Sequence, residues 1–212
     1  KPLFIDCDPK NLSFDLEDAK KKIKKNVVAI VVVHFGGHPA NIVDILRFAK
    51  KYKLKVIEDC AHSQGGSING KILGTWGDIG CFSFEEKKGM TTGDGGMIVT
   101  KKFSIYKTIK QMRWIGINKG TWERSKSNNN TRTNDNHWKY EINMLGDKMH
   151  MNDLSAAIGL EQLKKLEYIN KKKREFVELY RKKIILKNDL RFLIEDYNKH
   201  SVYWLFGLKT KY

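Results

Sequence analysis

Val27-Val28-Ala29-Ile30-Val31-Val32-Val33-His34-Phe35 is a continuous apolar and β-branched run. Such a run predicts a strand buried on both faces of a parallel sheet rather than an amphipathic edge. Gly36-Gly37-His38-Pro39 breaks it. Ile42, Ile45, Leu46 and Ala49 then recur at helical spacing, and Leu54–Ile57 reads as the next strand. Strand, helix and strand in that order make one βαβ unit, with a right-handed crossover expected. Upstream, Ser13 followed by Phe-Asp-Leu-Glu-Asp reads as a helix start, with Lys20–Lys25 as its basic last turn. Downstream, Gly80–Phe84 and Met97–Thr100 read as two short strands, the second opened by a turn at Gly93–Gly96. Lys119–Lys139 is polar and asparagine-rich and reads as a loop. From Met151 the pattern turns helical, with Leu154, Ala157, Ile158, Leu160, Leu163 and Leu166 as its apolar positions, and continues through Arg181. Tyr203–Leu208 reads as a strand. The fold class predicted is therefore α/β, a mostly parallel sheet flanked by helices.

Bulk composition narrows the function. A hydrophobic content of 41% with 11% aromatics supports a buried core rather than disorder. No apolar run reaches the roughly 20 residues that span a bilayer, so no membrane partner is expected. Cys7, Cys60 and Cys81 form no CxxC pair and read as reduced thiols of a cytoplasmic protein. The net charge of +16 raises nucleic-acid binding as an alternative. The lysines, however, fall on helix faces at Lys20–Lys25 and Lys164–Lys173 and do not alternate with stacking aromatics. We expect no specific nucleic acid, while the charge can help retain a polyanionic small substrate.

The chemistry lies in Val56-Ile57-Glu58-Asp59-Cys60-Ala61-His62 and in Cys81-Phe82-Ser83-Phe84-Glu85-Glu86-Lys87-Lys88-Gly89. A carboxylate delivered by an apolar strand, then a serine and a lysine ahead of a glycine turn, is the set that a pyridoxal phosphate site requires. Asp59 can hold a pyridine nitrogen protonated, which keeps the ring an electron sink, or it can close a turn. Lys88 can form a Schiff base, or it is one surface lysine among 40 basic residues, with Lys87 as an immediate rival. Ser83 can meet a phosphate or satisfy a strand-end amide, and His62 can face a phenolic oxygen or be a loop residue. Ligands of open α/β sheets bind at the carboxyl ends of the strands, where Asp59 falls. His34 and His38 have the spacing of a helical metal pair, but Phe35-Gly36-Gly37 and Pro39 exclude the helix, so no metal is expected.

In these stretches the chain resembles the DegT/StrS-type (DegT/DnrJ/EryC/StrS) sugar aminotransferases, which are fold type I pyridoxal phosphate enzymes. The resemblance spans Val33–Pro39, Ile57–Gly66, Gly77–Gly96, Met112–Ile117 and Leu154–Leu163. It implies that Lys88, not Lys87, is the catalytic Schiff-base lysine. It further implies that Asp59, His62 and Ser83 hold the cofactor, and that Lys148 reaches the phosphate in a partner subunit of a homodimer with a shared site. Gly146-Asp147-Lys148-Met149-His150-Met151 lacks the two aromatics usual in that segment of the family. By the same resemblance the chain is shorter than family members. Residues 1–150 would be the C-terminal part of the large cofactor domain, and 151–212 the beginning of a smaller α+β domain. The implied function is transamination of a nucleotide-linked keto-deoxysugar, with glutamate as donor, in polysaccharide biosynthesis such as that of O-antigen. A sugar dehydratase or a non-catalytic cofactor-binding relative remain alternatives; relatives that dehydrate carry histidine in place of the lysine.

Overall fold

The computed structural model describes residues 1–118, 120, 140–185, 190–196 and 198–210. Apart from Gly120, the expected loop Lys119–Lys139 lies outside them. The chain divides into two compact units. One comprises Lys1–Thr100 with Asp153–Tyr212, the other Lys101–Asn152.

The first unit opens with α1 (Leu16–Lys22), whose N-cap is Asp15 rather than Ser13. The Asp15 carboxylate accepts the Glu17 and Asp18 N–H groups at 2.8 and 3.2 Å. Acidic residues in the first turn and lysines in the last complement the helix dipole. Strand β1 (Ala29–Val33) is followed by α2 (Ile42–Tyr52), and β2 (Lys55–Asp59) runs parallel to β1 with Val33 opposite Asp59. Ile42 and Ile45 of α2 pack with Val32 and Val56 of the strands, all four at most 1% exposed.

The burial of β1 corrects the expectation drawn from its composition. Ile30 and Val32 are buried, whereas Val31 and Val33 on the opposite face are 58% and 43% exposed. Only one face of the strand is covered by the described residues. Short antiparallel strands β3 (Ser67–Ile68) and β4 (Lys71–Ile72) come next. Then β5 (Ile79–Ser83) pairs parallel to β2, and β6 (Gly96–Val99) pairs antiparallel to β5. The main sheet has the order β1-β2-β5-β6. The carboxyl ends of its three parallel strands therefore meet at one edge, where Asp59 lies opposite Cys81.

The long helix α4 (Asp153–Lys183) follows α3 (Phe103–Met112) of the second unit in chain order. The apolar positions expected on α4 stay largely uncovered: Leu154, Ile158, Leu160 and Leu163 are exposed, while Gly159, Asn170 and Val177 are buried. After α4 come β7 (Arg191–Phe192), β8 (Lys199–His200) and β9 (Leu208–Lys209); β8 pairs with β3 and β9 with β7. Tyr203–Phe206 is not the strand expected there. Val202 and Leu205 instead donate their N–H groups to Gly37 and Gly36, both at 3.0 Å, so the segment lies against the turn after β1. Within the second unit, Trp114 bridges Lys148 and packs edge-on against His150, with Ile117 bridged to Ile142.

Candidate active site

The sheet edge is organised around a buried carboxylate next to the predicted one. Glu58 is fully buried, and its Oε1 accepts N–H groups from Trp76 and Gly77 at 2.7 Å each. Its Oε2 accepts the Gly74 N–H at 2.8 Å and faces His34 Nε2 at 3.1 Å. The Nδ1 of His34 accepts the Ala40 N–H at 3.0 Å, which assigns Nε2–H as the donor to Glu58. Burial pushes the Glu58 carboxyl upward, but the His34, Gly77 and Gly74 hydrogen bonds outweigh it and hold the group below its ordinary value. His34, Glu58 and Cys60 lie close enough together to suggest a metal cluster. Burial, however, pushes the Cys60 thiol up to about 12, and the carboxylate oxygens are taken by N–H donors. We read the cluster as a structural knot that fixes β1, β2 and the 74–77 turn.

Alternation along β2 sends the neighbouring Asp59 the other way. It is half-buried at the strand's last position, its main-chain oxygen accepts the His34 N–H at 3.1 Å, and its Oδ1 accepts the Ala61 N–H at 3.0 Å. No cation pairs with it among the described residues. His62 follows in the turn, and its Nδ1 accepts the Gly36 N–H at 3.3 Å, leaving Nε2–H as its donor. Burial and the nearby Lys88 charge lower its pKa from the ordinary value against the opposing pull of Asp59, so His62 is neutral at pH 7.

The third element is the loop after β5. The Ser83 Oγ accepts the Glu85 N–H at 3.4 Å, and Lys88 N–H closes a turn on the Glu85 carbonyl at 3.0 Å. Lys87 is exposed, whereas Lys88 is half-buried. Gln64, 4% exposed, fastens both ends of this loop. Its amide donates to the Ser83 carbonyl and, at 3.4 Å, to the Met90 carbonyl, while its Oε1 accepts the Met90 N–H at 3.2 Å. Asn170 of α4, 1% exposed, donates to the Gln64 carbonyl at 2.9 Å. Gly65, at φ +83°, leaves the room: a Cβ there would stand 2.7 Å from Asn170 Nδ2.

Asp59, His62, Ser83 and Lys88 thus converge on one edge of the first unit. Lys148 belongs to the second unit, exposed and bridged to Trp114. Sequence reasoning missed Gln64, Asn170 and Trp204. Gln64 stood in plain view two positions after His62. Trp204 stacks on the His62 ring at 3.9 Å and 12°, places its ring 4.7 Å from Lys88 Nζ, and donates Nε1–H to the Lys87 carbonyl at 2.9 Å.

The chain is 39% identical over 180 residues to an uncharacterized protein of Methanocaldococcus jannaschii, covering 85% of this chain and 45% of that protein. It is 33% identical over 211 residues to a GDP-perosamine synthase of Escherichia coli O157:H7, covering 99% of this chain and 52% of that one. Among solved structures, the sugar aminotransferase CalS13 from Micromonospora echinospora superimposes with a TM-score of 0.82 at 28% identity, over 98% of this chain and 55% of that chain. The chain spans about half the length of the relatives it matches. The family profile matches residues 1–211, and the chain belongs to the DegT/DnrJ/EryC1/StrS aminotransferase family.

Proposed function

We propose that this chain is part of a pyridoxal 5′-phosphate-dependent aminotransferase acting on a nucleotide-linked keto-deoxysugar, with glutamate as amino donor. The observation that carries the reading is the half-buried Lys88 amine, free of any carboxylate partner among the described residues, on the same edge as Asp59 and His62. The open polar ends at this edge fit the cofactor. An unpaired carboxylate suits a ring nitrogen, an Nε2–H a phenolic oxygen, and a serine O–H a phosphate. When bound, the cofactor supplies an electron sink for deprotonation next to an amine-bearing carbon.

The chain's residues supply the rest. Asp59, buttressed by the Ala61 N–H, would hold the ring nitrogen's proton. His62, kept neutral, would donate Nε2–H without adding a charge beside Lys88. Ser83 would bind the phosphate. Lys88 Nζ would attach the cofactor covalently and, once released, would move the proton at the donor's α-carbon as general base and acid. Lys148 would serve the phosphate of the partner subunit's site in a homodimer. Residues 1–150 would complete the large domain, and 151–212 would begin the small one.

The test is to incubate the chain with pyridoxal phosphate, record the visible spectrum, reduce with borohydride and map the modified peptide. A visible band with the label on Lys88 is expected. Label scattered over surface lysines with no band would sink the reading.

A further inference from the structure

Two adjacent lysines stand at the mouth of this site, and a lysine's chemistry does not by itself decide which one reacts. The residue that touches both is Trp204. Its Nε1–H is hydrogen bonded to the main-chain oxygen of Lys87 at 2.9 Å, and its ring lies 4.7 Å from the Nζ of Lys88. The indole therefore grips the Lys87–Lys88 link at one atom of each residue. An ammonium is drawn to an aromatic face, which turns the Lys88 side chain inward and leaves Lys87 to solvent. The exposures agree, Lys87 being exposed and Lys88 half-buried.

Trp204 is itself held in place. Its ring stacks on His62 at 3.9 Å and 12°. On either side, the Val202 and Leu205 N–H groups bind the Gly37 and Gly36 carbonyls at 3.0 Å. Tyr203 between them has φ +46°, a left-handed conformation unusual for a tyrosine, and its hydroxyl donates to Glu195 Oε2 at 2.5 Å. Strain of this kind persists where neighbouring contacts over-determine it. The glycine turn accepts the segment closely: a Cβ on Gly37, at φ +86°, would stand 2.9 Å from the main-chain nitrogen of Trp204. One aromatic thus couples the turn after β1, the His62 turn after β2 and the lysine loop after β5.

We propose that Trp204 is a positioning residue that selects Lys88 over Lys87 as the reactive amine. The inference rests on the function proposed above, and its test separates the two. The full chain and its W204L and W204F variants are treated with pyridoxal phosphate and borohydride, and the ratio of pyridoxyl label on Lys88 to that on Lys87 is read by peptide mass spectrometry. W204L removes ring face and donor together and is expected to lower the ratio about tenfold or more. W204F keeps a face but loses the N–H, and a fall of about threefold is expected from one neutral hydrogen bond. An unchanged ratio in W204L overturns the inference while leaving the proposed function standing. Should W204L fail to fold, an unchanged ratio in W204F overturns it instead. Scattered label in the parent chain defeats the functional reading itself.

Discussion

Replacing Gln64 with leucine should loosen the Lys88 loop while leaving Asp59, His62, Ser83 and Lys88, the groups proposed to hold the cofactor, intact. Leucine fills a similar volume but can neither donate to the Ser83 and Met90 carbonyls nor accept the Met90 N–H. Met90 is buried, so its amide is left unpartnered, at about 1–3 kcal/mol, and each lost donated bond adds about 0.5–1.5 kcal/mol. The Ser83 carbonyl lies where water can partly replace the amide, so the sum is about 2–4 kcal/mol. Urea unfolding should move to lower midpoint by that amount, and borohydride-trapped label on Lys88 should form more slowly as the loop samples other positions. Gln64→Glu sharpens the test. A carboxylate still accepts from Met90 but faces two carbonyl oxygens, so it should destabilise at neutral pH and recover in part as acid protonates it. If both variants unfold within about 0.5 kcal/mol of the parent and label at its rate, the latch does not hold the loop and the reasoning is wrong.

Three further outcomes are expected. Because His62's folded pKa lies below its ordinary 6.5, its stabilising contribution is complete above pH 6.5; it declines as pH falls through that value towards the folded one, and cofactor affinity measured by visible titration should decline with it. Glu58→Leu strands the buried Gly74 N–H at about 1–3 kcal/mol and removes the partner of the half-buried Trp76 and Gly77 N–H groups and of the buried His34 Nε2–H, which together is enough to unfold a marginally stable domain in a thermal melt, whereas a retained melting temperature would contradict the knot. Ile45→Ala in the α2 face should cost about 2–5 kcal/mol in urea unfolding, with label still directed to Lys88 in the folded fraction.

The parallel strands and the crossover helix were legible because burial against α2 demands the apolar spacing that Ile42, Ile45 and Ala49 display. The same reading overestimated β1. Its composition marks a strand suited to burial on both faces, yet Val31 and Val33 are left uncovered by the described residues, and a sequence pattern cannot say which neighbour is absent. The Tyr203–Leu208 segment misled for a related reason. Its main chain, through the Leu205 N–H and that of Val202 just before it, bonds the carbonyls of the distant Gly36–Gly37 turn, and only Leu208 at its end pairs with a neighbouring strand. Local propensity sees the residue types but not the partner.

What the sequence showed least was the support behind the residues proposed to react. Asp59, Ser83 and Lys88 stand out because their chemistry is legible residue by residue. Gln64 and Asn170 act through contacts 19, 26 and 106 positions away along the chain. The chain of contact runs from Asn170 to the Gln64 carbonyl, and from the Gln64 side chain to Ser83 and Met90 on both flanks of Lys88. A long helix with little apolar burial of its own is thereby tied to the loop that carries the amine. This gives α4 a task that its exposed apolar residues do not suggest. Asn170→Leu should then slow labelling of Lys88 even though the Asn170 amide bonds the Gln64 carbonyl and not one of the proposed site residues. An unchanged rate in a folded N170L chain would confine the role of α4 to packing.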